Sequence, residues 1–292
     1  MSMTTMTDPV HLIHTTIETV NKLPAFRKIS HLKLEQFALS IAFVALGIRS
    51  GYMFDAFSTG KHNTVDVLSD VIIALRIKMP EYRHVVVLVG LALDDYFIVN
   101  APLLLDRLHN EFLEDQGAPE VWTEFVKLSD PPQLTPVPKS LTQGILDPLS
   151  LTLNLQNERK NNLSTVDLPA ILNIPVLNNL EVTDLVPLAA VILEYPIAYI
   201  PEIPNQTSFL ANTQLDVYEY CLTLHGIRES PREHVLLKFS CPSSLNEGQL
   251  EQRPNRIEDK LRMRFSQRIN SCNLLAEGIV KKHQATFDRV AL

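Results

Sequence analysis

Residues 64–127 constrain the fold more than any other part of the chain. An amphipathic helix over 64–79 places Val65, Leu68, Ile72, Leu75 and Met79 on one face and stops at Pro80. Next comes the run 84–90, HVVVLVG, apolar at every interior position, and then 96–99, YFIV. A strand without a polar face needs cover above and below, and the short link 91–95 favours an antiparallel hairpin. Asn100 caps a further helix with Leu104, Leu105, Leu108 and Phe112 facing inward, and 121–126 supplies another strand. The expectation is an α/β (α+β) fold, a mixed sheet with helices packed on both faces in three layers.

The flanking sequence adds to this frame. Asp8-Pro9 starts one helix and Ser30 caps a second, whose apolar face widens until nearly every residue is apolar. Residues 51–57 have the aromatic content of a short strand, with Asp55 near its end. From Asp130 the prolines at 131, 132, 136 and 138 specify an extended connector, and 130–183 reads as an irregular Pro/Leu/Asn-rich insertion within a single domain spanning 1–292. Leu149, Leu151, Leu153 and Leu155 alternate as in a strand, although helical leucine spacing competes. Asp184 is expected to cap a helix reaching 193. Strands follow at 197–200, 218–224 and 234–240, then a helix over 255–271 and an edge strand over 286–290.

Hydrophobic residues are 46% and charged residues 20% of the chain, a balance that supports a folded core. The net charge of -7 gives no global attraction to nucleic acid or an anionic membrane, so neither DNA nor membrane partners are expected. Three scattered cysteines, with no Cys-x-x-Cys pair, fit a reducing compartment, and the first residues have no basic start or apolar run of a secretory signal. A soluble intracellular protein, cytoplasmic or nuclear, is therefore expected. The sequons at Asn162 and Asn205 are then chance matches.

No motif carries chemistry outright. Gly60-Lys61 lacks the upstream glycine and the following Ser or Thr of a phosphate-binding loop. His11 and His14 share a helix face without a third metal ligand. His225 and His234 flank a hairpin loop, across which they would face each other. The carboxylates Asp55, Asp94 and Asp95 are the candidates for catalysis: Asp55 closes a predicted strand, and if it meets the Asp94-Asp95 pair in space the three are suited to a magnesium ion or a shared proton. Turn and cap roles are the competing reading. On the last long helix Arg256, Lys260, Arg264 and Arg268 recur every four residues beside Ile257, Leu261, Phe265 and Ile269, forming a cationic stripe suited to an acidic protein partner. Residues 106–130 carry seven acidic and two basic side chains, so that partner can also lie within the molecule or in a second copy.

Four short motifs, Tyr52-Met-Phe-Asp55, Glu194-Tyr-Pro-Ile-Ala-Tyr199, Lys238-Phe-Ser-Cys-Pro242 and the closing Val290-Ala-Leu292, run along most of the chain. Through them it resembles an uncharacterised eukaryotic family, a domain of unknown function typified by a human chromosome 1 open reading frame product. Residues 131–184 do not share that likeness. The resemblance implies an intracellular protein and carries no catalytic residue or cofactor to this chain.

Two functions are expected from different classes. The first is a noncatalytic protein-interaction or adaptor module without cofactor, presenting the basic helix or the segment 131–138. The second is a divalent-metal-dependent hydrolase or phosphotransfer enzyme that uses Asp55, Asp94 and Asp95 with magnesium.

Overall fold

The computed structural model describes residues 8–59, 63–90, 95–113, 122–159, 168–174, 182–202, 210–227, 232–245 and 257–287. In chain order the elements are α1 (Pro9–Lys22), α2 (His31–Ala45), β1 (Gly51–Met53), α3 (Thr64–Lys78), β2 (Val85–Gly90), β3 (Asp95–Asn100), α4 (Ala101–Leu108), β4 (Glu124–Lys127) and β5 (Gln133–Thr135). These are followed by α5 (Lys139–Leu141), α6 (Asp147–Arg159), β6 (Ile171–Asn173), α7 (Val182–Leu193), β7 (Ile197–Ile200), β8 (Gln214–Leu224), β9 (Arg232–Pro242), α8 (Ser243–Leu245), α9 (Ile257–Ser271) and β10 (Ala276–Thr286). Local chemistry sets several helix starts. The side chains of Asp8, Ser30, Asn63 and Asn100 accept from the backbone N–H of Val10, Lys33, Val65 and Leu103, which satisfies donors that the first turn leaves open.

The α/β class holds, with mixed sheets, but the described strands divide into three sheets where one was expected. The main sheet runs β1-β3-β2-β6, antiparallel except for the parallel β2–β6 pair; the second runs β5-β4-β7; the third runs β10-β8-β9 and is antiparallel throughout. The continuous apolar run of β2 explains the layering of the main sheet. Val85 and Val87 point into a core shared with Leu12 of α1, Phe37 and Ile41 of α2 and Leu68 and Leu75 of α3. Val86 and Leu88 point the other way, against Leu104 of α4, Leu149 and Leu153 of α6 and Ile192 of α7. All four β2 side chains have 0% exposure, each worth about 1.5–3 kcal/mol of hydrophobic burial. The third sheet packs onto the α2 side of this core through Tyr218, Leu222 and Leu236.

Three expectations are corrected and one open alternative is decided. Of the segment 130–183, expected as an irregular insertion, the described residues 130–159 and 168–174 carry regular structure: β5 pairs with β4, β6 joins the main sheet, and Leu141, Ile145, Leu149 and Leu153 are fully buried. The buried Arg76 guanidinium fixes the approach to β6 by donating to the carbonyls of Leu168 and Pro169, while also reaching Val85 O at 2.8 Å. The alternating leucines are helical, since Leu149 and Leu153 sit one turn apart on the buried face while Leu151 and Leu155 are 66% and 55% exposed. Asp184 lies inside the first turn of α7, which starts two residues earlier. The closing strand β10 occupies 276–286, mostly before the expected 286–290, because a strand with only Val280 buried carries no apolar alternation to read. Among the described residues no helix is long and apolar enough to cross a membrane.

Candidate functional site

A cavity of about 350 Å³ opens where α2 and the start of the main sheet meet the β8–β9 hairpin, a size at the lower end of small-ligand pockets. Its position follows from the fold: α2 packs its fully apolar stretch inward, so the more polar first turns, with Glu35 and Gln36, are left facing the hairpin. One wall is apolar, formed by Leu39, Leu224 and Ile227, while Leu32 and Val235 at the mouth are 55% and 45% exposed. The other side carries Glu35, Tyr52, Asp55, Glu233 and His234.

These polar groups differ in how far they are already engaged. Glu233 is held by Lys281 at 2.6 Å. Asp55, just beyond β1, is exposed and makes no hydrogen bond or ion pair to a described residue. His234 stacks edge-on against Phe43 with ring centroids 5.2 Å apart, and its Nε2 is buried without a hydrogen-bond partner among the described residues. Burial, and then the positive charge of Arg49, pull its pKa down to about 4, so the imidazole is neutral at pH 7. Behind the wall, Arg49 donates through Nη1 to Leu236 O at 2.7 Å and lies 5.8 Å from the Tyr52 ring centroid. Burial, and then the Asp55 carboxylate, push the Tyr52 phenol up.

A second constellation lies deeper. Glu194 follows the last residue of α7 with φ of 66°, the left-handed conformation that ends many helices and favours glycine. Its carboxylate is fully buried and accepts from Arg268 at 2.7 and 2.9 Å, from Arg264 at 3.2 Å and from the Ser50 backbone N–H at 2.9 Å, with Arg107 at 3.4 Å. Glu111 closes the set, reaching Arg107 at 3.1 Å and Arg264 at 2.9 Å. The Arg264 guanidinium lies 3.7 Å over the Trp122 ring. Burial alone would raise the Glu194 pKa, but Arg107, Arg268 and Arg264 hold the carboxyl well below the usual carboxylate range. This arrangement is saturated with hydrogen bonds and knits α4, α7 and α9 together; its chemistry is structural.

The expected site residues are thereby redistributed. Asp55 lines the cavity; Asp95 opens β3 at the end of the sheet where Phe54 N–H bonds Tyr96 O; Asp94 lies outside the described residues, as do Gly60 and Lys61. Among the described residues no three His, Cys, Asp or Glu side chains group so as to hold a metal ion. The stripe on α9 is not a solvated face: Lys260 is 8% exposed, Arg264 and Arg268 are turned onto Glu194 and Glu111, and Arg256 lies outside the described residues. The acidic partner of Arg264 is within the molecule, Glu111 of the acidic segment 106–130. His234 stands opposite Leu222 in the β8–β9 ladder and not opposite His225, whose Nε2 is 3.7 Å from Glu277. Cys221, Cys241 and Cys272 are buried, and burial pushes each thiol up, to about 11 and 12 for the first two, so none is a poised nucleophile.

Sequence reasoning missed Glu35, Glu233 and the role of His234, and also Glu194, whose one signal is a charge set directly after the apolar run 185–193. No protein-family model matches this chain, and neither a curated protein nor a solved structure shows significant similarity to it.

Proposed function

We propose that the chain is a noncatalytic binding protein whose recognition element is the cavity between α2 and the β8–β9 hairpin. The single observation that supports this reading is the Asp55 carboxylate, which no described residue engages by a hydrogen bond or ion pair, in the wall of a partly apolar cavity. A pocket lined mainly by apolar groups with a few fixed polar ones is the usual form of a small-molecule site. The adaptor role expected of the α9 stripe moves to this cavity, because two of its arginines are committed to internal carboxylates. Of the segment 131–138, the part Gln133–Thr135 pairs with β4 as β5 and is no free recognition strand.

Magnesium-dependent hydrolysis at Asp55, Asp94 and Asp95 is the second reading, favoured by the place of Asp55 in the cavity wall. One screen separates the two. Ligand-observed NMR with a panel of small organic fragments is expected to give hits that Gln36→Trp, a bulky change at an exposed lining position, abolishes. Magnesium or manganese ions that raise the melting temperature in the wild type and not in Asp55→Asn support the metal reading instead. Fragment hits indifferent to Gln36→Trp sink the cavity reading.

A further inference from the structure

We infer that the cavity takes a compact organic cation, an amine with an apolar body of roughly single-ring size; this rests on the binding reading above and names its ligand class. The argument begins with charge. Among the described residues the lining holds three carboxylates, Glu35, Asp55 and Glu233, and no lysine or arginine. Lys281 neutralises Glu233 from outside the cavity, and Glu35 is 6% exposed, so Asp55 is the charge left open to an incoming group. Arg49, the guanidinium behind Tyr52, donates to the Leu236 carbonyl and lies against the Tyr52 ring, and its attraction to Asp55 is the smallest of its charge interactions.

The shape of the site selects the rest of the ligand. A metal ion takes several oxygen ligands at about 2.0–2.6 Å, which the described residues do not assemble here, and it would leave the wall of Leu39, Leu224 and Ile227 unused. An anion meets carboxylates and, among the described lining residues, no cation. An ammonium group satisfies Asp55 with a charge-assisted hydrogen bond, while a ring or short chain covers the apolar wall and the exposed Leu32 and Val235 at the mouth. The neutral imidazole of His234 adds no repulsion to a cation, and the Tyr52 ring offers a further face to it. The volume of about 350 Å³ keeps the ligand small.

The test uses matched triads on one carbon skeleton: phenethylamine, 2-phenylethanol and phenylacetate, and cyclohexylmethylamine, cyclohexylmethanol and cyclohexanecarboxylate. Dissociation constants are measured by ligand-observed NMR titration against the full chain, Asp55→Asn and Gln36→Trp. Both variants alter exposed side chains, and a melting temperature equal to wild type confirms their fold. The expected result is that the amines bind the wild type about tenfold or more tightly than the alcohols. Asp55→Asn brings the amines to the level of the alcohols and leaves the alcohols unchanged, and Gln36→Trp weakens every probe. Alcohols or carboxylates that match or exceed the amines overturn the cationic class and leave the cavity reading standing. Amine binding untouched by Asp55→Asn overturns the assignment of the charge. Absence of binding by all six probes overturns both readings.

Discussion

Arg268 grips the carboxylate of Glu194 with both of its terminal nitrogens, Nη2 at 2.7 Å and Nη1 at 2.9 Å, across 74 residues of chain. Arg268 enters from α9 and Glu194 from the end of α7, so the pair closes a path between elements that share no local sequence. A carboxylate at a helix C-terminus is normally opposed by the helix dipole. Here three guanidiniums outweigh that opposition.

Removing the charge of Glu194 leaves the buried Arg107 and the partly buried Arg264 and Arg268 around a neutral group. Glu194→Gln is expected to destabilise the protein by about 3–5 kcal/mol, read from urea unfolding monitored by circular dichroism. A loss under about 1 kcal/mol would show that the arginines reach water instead of the carboxylate.

The same group sets an acid limit. The folded pKa of Glu194 lies below its unfolded value, so between the two the unfolded chain binds the extra proton and stability rises with pH. Its contribution is complete above the unfolded value of about 4.3 and is lost as pH falls below that. Stability measured from pH 6 down to pH 3 should therefore drop more steeply in the wild type than in Glu194→Gln.

His234 works in a higher window. Its folded pKa of about 4 is below an unfolded value of about 6.5, so its neutral form is the native one. Stability attributable to it is present above pH 6.5 and declines towards pH 4, by up to roughly 3 kcal/mol. His234→Gln is expected to flatten the stability profile between pH 7 and pH 4; an unchanged slope would place the imidazole in contact with water.

Arg264 over Trp122 distinguishes a planar guanidinium from a point charge. Arg264→Lys keeps the charge but loses the stacking and the two-carboxylate reach, with an expected cost of about 1–3 kcal/mol. Trp122→Leu combined with Arg264→Lys should then add less than it does alone, a coupling that a double-mutant cycle measures.

The leucines of α6 give a direct check on its helical face. Leu153→Ala should cost about 2–5 kcal/mol and Leu151→Ala about 0.5 kcal/mol or less, because the first is fully buried and the second largely exposed. Equal costs would indicate the alternating strand.

The contrast between β2 and α6 shows what local pattern conveys. Val85–Gly90 is legible because a run of β-branched residues between Pro80 and the next strand suits only a strand covered on both faces. Leucine at every second position of α6 satisfies the strand period, yet it also contains the four-residue spacing of a helix, and only the partners at α4 decide between them. The strand β10 has no pattern at all, since it is stabilised from one side by its ladder to β8. Asp55 is readable as a carboxylate near a strand end, whereas its cavity is made by Glu35 of α2 together with Ile227 and His234, which packing of the third sheet brings to it. The cationic stripe was visible, but the direction it faces depended on Glu194 and Glu111, both remote in sequence.

Because one carboxylate at 194 is shared by guanidiniums from two distant helices, its neighbours are not free to drift singly. A lineage that drops the acid must shed or re-pair three cations in the same interval. Once it has done so, the left-handed backbone at that position welcomes glycine. Glycine at 194 arriving together with uncharged residues at 107, 264 and 268 is thus the inherited signature of descendants that have abandoned the ionic knot for an oily one.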